Sequence, residues 1–146
     1  MSKLYNKILL TTDGSDYSLN AVEHALSIAN GNDAEVIVLN VIEDNFVIDL
    51  LNAEIIKDVR GILNEKSQKN LKQVRELKED LGYDVKLSFR SVEGSPVNVI
   101  LKTIDEEDVD LVVIGSSGKT GLDKFIMGSV ASKVVNSAKC SVLVIR

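Results

Sequence analysis

Leu111 to Asn136 reads Leu-Val-Val-Ile-Gly-Ser-Ser-Gly-Lys-Thr-Gly-Leu-Asp-Lys-Phe-Ile-Met-Gly-Ser-Val-Ala-Ser-Lys-Val-Val-Asn, and no other stretch limits the fold so strongly. Its first four residues, Leu111 to Ile114, are apolar and rich in β-branched side chains. Closed by glycine, such a run predicts a strand buried on both faces. Gly115, Ser116, Ser117 and Gly118 follow where a strand of an α/β sheet leaves the core. Two glycines there predict a backbone that turns sharply and approaches a ligand with no Cβ in the way. Gly128 and Ser129 open a helical pattern whose apolar stripe reads Val130, Val134 and Val135. The unpaired N–H groups and the dipole of that helix start predict an anion site, most often for phosphate.

Two other readings compete. Gly115-Ser-Ser-Gly-Lys-Thr120 resembles a P-loop, but a P-loop needs four residues between its first glycine and Gly-Lys-Ser/Thr, and its lysine opens a helix. Here only two residues separate Gly115 from Gly118, and Thr120 runs into Gly121. In the other reading these glycines and serines are ordinary turn and cap residues, which local chemistry alone leaves open.

The rest of the chain alternates short apolar runs with helical patterns. Ile8, Leu9 and Leu10 mark a first strand, and Asp13-Gly14-Ser15-Asp16 reads as a turn and helix cap. A helix from about Tyr17 to Asn30 is expected, with Leu19, Ala21, Val22, Ala25, Leu26 and Ala29 on its apolar face and a stop at Asn30-Gly31-Asn32-Asp33. Glu35 to Val41 is the second strand. Phe46 to Ile56 is expected as a short helix or covering segment, interrupted by Gly61. Ile62, Leu63, Leu71, Val74, Leu77 and Leu81 then recur at helical spacing, with Gly82 at the closing position.

Val85, Leu87 and Phe89 alternate with Lys86, Ser88 and Arg90, which predicts an edge strand with one face half solvated. Ser95 and Pro96 start the next helix as cap and first residue. Its core face is Val97, Ile100, Leu101 and Ile104, and Glu106-Glu107-Asp108 closes it as a solvated turn. Ser141 to Ile145 is the last strand. Five strands alternating with helices imply a parallel sheet with helices on both faces.

At 146 residues the chain is most simply one domain. With no Trp and few aromatics, its core must be built from Val, Ile and Leu. A net charge of −5 without a basic stripe argues against nucleic acid as a partner. No run approaches the roughly 20 apolar residues of a membrane span, and the N-terminus lacks a signal-peptide pattern. The one cysteine, Cys140, cannot close an internal disulfide, which fits a reducing cytoplasm.

Gly115-x2-Gly118-x9-Gly128-Ser129 resembles the nucleotide-binding signature of the universal stress protein family, Gly-x2-Gly-x9-Gly-(Ser/Thr), at all four positions. The resemblance runs along the whole chain, through Asp13-Gly-Ser, Val41, Gly94-Ser-Pro96 and the C-terminal Cys-x-Val-Leu-Val. One departure is Ser141, where members often carry proline, a difference that touches strand entry. The resemblance implies a Rossmann-like sheet ordered 3-2-1-4-5 and a homodimer through the C-terminal strand. It implies ATP, with Mg²⁺ as a candidate companion, bound by Thr12, Asp13, Val41, Gly115, Ser116, Ser117, Gly118, Gly128, Ser129 and Val130. In that order strands 1 and 4 are neighbours whose connections leave on opposite faces, so a crevice opens at their carboxyl ends.

Asp13 then has two roles open, a turn residue or a holder of ribose or phosphate-bound Mg²⁺. Val41 is implied to offer its backbone to an adenine edge. Ser129 serves as a helix cap, a phosphate donor or both. Lys119 and Lys124 are loop lysines, solvated or facing phosphate. His24 has no catalytic partner at useful spacing, and Cys140 reads as a small buried hydrophobe. With no group clearly placed to activate water, any hydrolysis is expected to be slow. The expected function is a cytoplasmic ATP-binding regulator of the stress response. Its rival is a relative that binds no nucleotide and works through protein partners. Adenylyl transfer is more distant, resting on fold alone.

Overall fold

The computed structural model describes residues 3–43, 52–116 and 127–146. Five strands, β1 (Lys7–Thr11), β2 (Glu35–Glu43), β3 (Leu87–Gly94), β4 (Leu111–Gly115) and β5 (Ser141–Ile145), form one parallel sheet. Its order is β3-β2-β1-β4-β5, the order implied by the resemblance. Among the described residues four helices lie in the connections: α1 (Asp16–Asn32), α2 (Ala53–Leu81), α3 (Pro96–Glu107) and α4 (Ser129–Ser137).

Alternation along each strand divides the core into two layers. Ile8, Leu10, Val36, Val38, Leu111 and Val113 meet the apolar faces of α1 and α2. Leu9, Ile37, Leu39, Val112 and Ile114 meet α3 and α4. Ile8, Leu9 and Leu10 have no solvent exposure at all. At about 1.5–3 kcal/mol for each such side chain, these central strands hold the sheet together. β3 lies at one edge, as its period of two predicts, and its pairing with β2 begins at Leu87 and runs to Gly94.

Several boundaries differ from expectation for local reasons. α1 runs past Gly31 to Asn32 and ends at Asp33, which adopts the left-handed conformation (φ 53°). Its buried face takes in Ser18, while Leu19 is only half-buried. Gly61 does not interrupt α2, which is continuous for 29 residues. Gly61 is exposed on that helix, where a glycine costs about 1 kcal/mol relative to alanine but breaks no contact. Asn52 caps its start by accepting from Ile55 N at 3.0 Å, and Gly82 closes it. The expected segment before it lies largely outside the described residues.

α3 begins at Pro96 with Ser95 in the cap position, but the Ser95 hydroxyl makes no cap bond. Glu107 is not simply solvated. It pairs with Arg90 of β3 and, at 3.8 Å, with Lys7 of β1. In α4 the buried pair is Ala131 and Val134, whereas Val130 is half-buried and Val135 is 41% exposed. Among the described residues no helix is long and apolar enough to cross a membrane.

Candidate functional site

At the carboxyl ends of β1 and β4 the chain departs to opposite faces of the sheet, and a cavity of about 420 Å³ opens there. Its inner wall is apolar, from Leu39 and Val41 of β2, Ile114 of β4, Pro96 and Ile100 of α3, and Val130 and Ala131 of α4. Its polar side is Thr11, Thr12, Asp13, Ser18, Gly115, Ser116, Gly128 and Ser129, and Glu43 stands at the rim. Eight of the ten expected site residues, Thr12, Asp13, Val41, Gly115, Ser116, Gly128, Ser129 and Val130, therefore line one space. Ser117 and Gly118 lie outside the described residues, as do Lys119 and Lys124.

The β1–α1 turn is held from several sides. Thr12 N donates to Leu39 O at 3.0 Å, and the Asn40 side-chain amide donates to the Thr12 carbonyl. The Thr12 hydroxyl lies 3.2 Å from the Ser18 hydroxyl and accepts from Gly14 N at 3.3 Å. Thr12 and Ser18 are both buried, and the Ser18 hydroxyl also donates to Ser15 O at 2.9 Å, so both hydroxyls are satisfied inside the turn. Asp13 Oδ1 accepts from Ser15 N at 2.9 Å, an Asx turn. Its Oδ2 has no partner among the described residues. Gly14 has φ 81°, and a Cβ there would stand 2.4 Å from Asn70 Oδ1 of α2. The turn role of Asp13 is thus real, and it occupies only half of the carboxylate.

Gly115 is a glycine for a reason other than ligand approach. A Cβ built on it would lie 2.9 Å from Tyr17 C, 3.0 Å from Tyr17 O and 3.2 Å from Ser18 N, all backbone atoms of the first turn of α1. The missing side chain lets α1 sit against the end of β4.

The amides near the glycine motif divide into occupied and open ones. Ser116 N donates to Ile145 O at 2.7 Å, and Gly128 N donates to Ser116 O at 2.6 Å. Those two groups stitch β5, β4 and α4 together. Gly128 is the helix cap, and the first bond within α4 runs from Ser132 N to Gly128 O at 3.0 Å. The N–H groups of Ser129, Val130 and Ala131 precede that bond and have no intrahelical partner. All three residues line the cavity. Gly128 holds the cap position, so Ser129 is the first helical residue and not the cap.

The charged residues of the described lining are Asp13 and Glu43, both acidic. An anion here would be met by backbone N–H groups, the helix dipole and hydroxyls. A divalent cation brought by phosphates would have the Asp13 carboxylate as its protein ligand, since Mg²⁺ is commonly held by one or two carboxylates together with substrate phosphates. Among the described residues no group of three or more His, Cys, Asp or Glu could hold a metal alone. His24 is exposed on α1 and is not part of the lining.

Cys140 is half-buried and packs as a small hydrophobe against the α3/α4 layer. Burial pushes its thiol up. A backbone hydrogen bond partly offsets this, and the Asp110 charge adds a smaller push. Thr11, Ser18, Leu39, Glu43, Pro96, Ile100, Ile114 and Ala131 are lining residues that sequence reasoning did not single out. Ser18 had a signal, a hydroxyl inside an apolar helical stripe. Glu43 had another, the period-two continuation of β2 past Val41.

A model of the universal stress protein family matches residues 4–146. Universal stress protein MJ0531 of Methanocaldococcus jannaschii is 39% identical over 143 residues, covering 98% of this chain and 83% of that relative. MJ0577 of the same organism is 30% identical over 160 residues, 100% of this chain and 98% of the relative. The solved structure of MJ0577 matches with a TM-score of 0.84 over 97% of this chain and 96% of that one. A universal stress protein solved in complex with cAMP has the same fold, with 23% identity and a TM-score of 0.68 over 97% of this chain and 97% of that one.

Proposed function

The chain belongs to the universal stress protein family, and on that premise we propose that it is an ATP-binding, nucleotide-dependent regulator that works in the cytoplasm as a homodimer. One observation carries the nucleotide reading: a cavity of about 420 Å³ joins an apolar wall to three open N–H groups at the start of α4. That volume falls in the range of small-molecule sites, roughly 300–1,000 Å³. The apolar wall of Val41, Pro96 and Ile100 suits a flat base. The α4 amides and the Ser129 hydroxyl suit phosphate. Asp13 lines the same cavity, and the carboxylate oxygen not used by the turn would serve a ribose hydroxyl or Mg²⁺. A relative bound to cAMP supports an adenine base.

Turnover of bound ATP is expected to be slow. The described lining holds carboxylates but no histidine, so general-base help to an attacking water would fall to Asp13 or Glu43. Mass spectrometry of small molecules released from the purified, denatured protein tests the reading. It should find ATP or another adenine nucleotide, and calorimetric titration with ATP and Mg²⁺ should give saturable binding. Wild type that fails to bind ATP, ADP or AMP at millimolar concentration would overturn it and leave a protein acting through partners alone.

A further inference from the structure

β2 keeps its period beyond the point where the core ends. Ile37, Leu39 and Val41 all face the layer beneath α3 and α4. Residues two apart on a strand share a face, so Glu43 takes the next place in that row. It lines the cavity with Leu39 and Val41 and, at about 3.3 Å per residue, stands about 6.6 Å beyond Val41 along the strand. Its register partner on β3 is Gly94, which has no side chain to meet it. Glu43 is exposed and makes no hydrogen bond or ion pair among the described residues. Asn40, on the opposite face, is already engaged with the Thr12 carbonyl.

The apolar side chains below Glu43 can stack on any flat ring and by themselves do not distinguish one base from another. A carboxylate at the rim can, because when ionised it only accepts hydrogen bonds. We propose that Glu43 selects the base, its carboxylate accepting a hydrogen bond from the exocyclic 6-amino group of a purine seated over Val41, Pro96 and Ile100. This rests on the nucleotide reading above and assigns the side chain that reads the 6-amino group. The bond is charge-assisted, so losing its donor leaves a carboxylate facing a group that offers it nothing.

The probes are ATP and purine riboside 5′-triphosphate, in which hydrogen replaces the 6-amino group. Both carry the same phosphates, so any repulsion between Glu43 and the triphosphate cancels in the ratio of their affinities. Calorimetry should show wild type favouring ATP by at least about tenfold, the size of one hydrogen bond to a charged acceptor. Glu43→Ala should shrink that preference about tenfold, and Glu43→Gln should shrink it less, since its amide oxygen still accepts. Glu43 lies outside the core, and circular dichroism should show both variants folded as wild type. An unchanged preference in Glu43→Ala overturns the assignment while leaving nucleotide binding intact. Wild type favouring GTP over ATP overturns it too, because the carboxylate would then serve a ring N–H and a 2-amino group. Wild type that binds none of the three ligands overturns it together with the nucleotide reading.

Discussion

The side-chain amide of Asn40 donates to the backbone carbonyl of Thr12, while Thr12 N donates to Leu39 O at 3.0 Å. β2 therefore grips Thr12 at both of its backbone polar groups, and Asp13 leaves the sheet from a fixed point. Asn40 is buried, so its amide has little freedom to seek another partner. The open carboxylate oxygen of Asp13 is thus oriented before any ligand arrives.

Two substitutions separate the roles of Asp13. Asp13→Asn keeps a side-chain oxygen for Ser15 N, so its melting temperature should match wild type while ATP binding with Mg²⁺ weakens. Asp13→Ala should lose the turn bond as well, costing about 0.5–1.5 kcal/mol in chemical denaturation. Unaltered ATP affinity in Asp13→Asn would assign the carboxylate to the turn alone.

Ser129 allows a cleaner separation, because Gly128 and not Ser129 caps α4. Ser129→Ala should leave stability unchanged and weaken ATP binding several-fold, by about 0.5–1.5 kcal/mol for one net hydrogen bond. Calorimetric titration beside a thermal melt reads both quantities. A lower melting temperature with wild-type affinity would count against a phosphate contact.

Gly115→Ala should destabilise the protein even without ligand. The new Cβ would meet Tyr17 and Ser18 backbone atoms at 2.9–3.2 Å, which α1 can relieve only by shifting. Overpacking of this kind costs about 1–3 kcal/mol. Urea denaturation of the ligand-free protein measures it. Wild-type stability would mean that α1 moves freely against β4.

β5 lies at the edge of the sheet, with Val142, Leu143 and Val144 half-buried and no partner strand on its outer side among the described residues. An apolar edge without charge or proline invites pairing with a second copy. Sedimentation at micromolar concentration should give a dimer. Hydrogen exchange at the β5 amides should then slow as protein concentration rises. A monomer throughout that range would refute the assembly.

Cys140 should react slowly with thiol reagents near neutral pH, because its raised pKa suppresses the thiolate. The folded state holds the thiol proton more tightly than the unfolded chain does. Its contribution to stability is therefore complete below the unfolded thiol pKa, about 8.5, and declines as pH rises past it. Wild type should lose stability relative to Cys140→Ala over that alkaline range in pH-dependent denaturation. A difference that grows with pH in favour of wild type would contradict the shift.

The sequence by itself determined the elements and their order, because those follow from short-range physics. Ile8 to Leu10 and Leu111 to Ile114 are short apolar runs, the second rich in β-branched residues and closed by glycine, and Pro96 and Gly82 mark helix ends through their own backbone chemistry. The glycine motif likewise located the cavity. Tertiary structure alone decided what each residue does there, because burial and hydrogen bonding depend on neighbours far away in the chain. It spent the Ser116 and Gly128 amides on β5 and β4, leaving those of Ser129, Val130 and Ala131 open. It turned the Gly115 Cα toward α1, buried Ser18 against Thr12, and carried α2 straight through Gly61. The period of β2 puts Glu43 on the same face as Val41, and the tertiary structure decided that this place is the cavity rim.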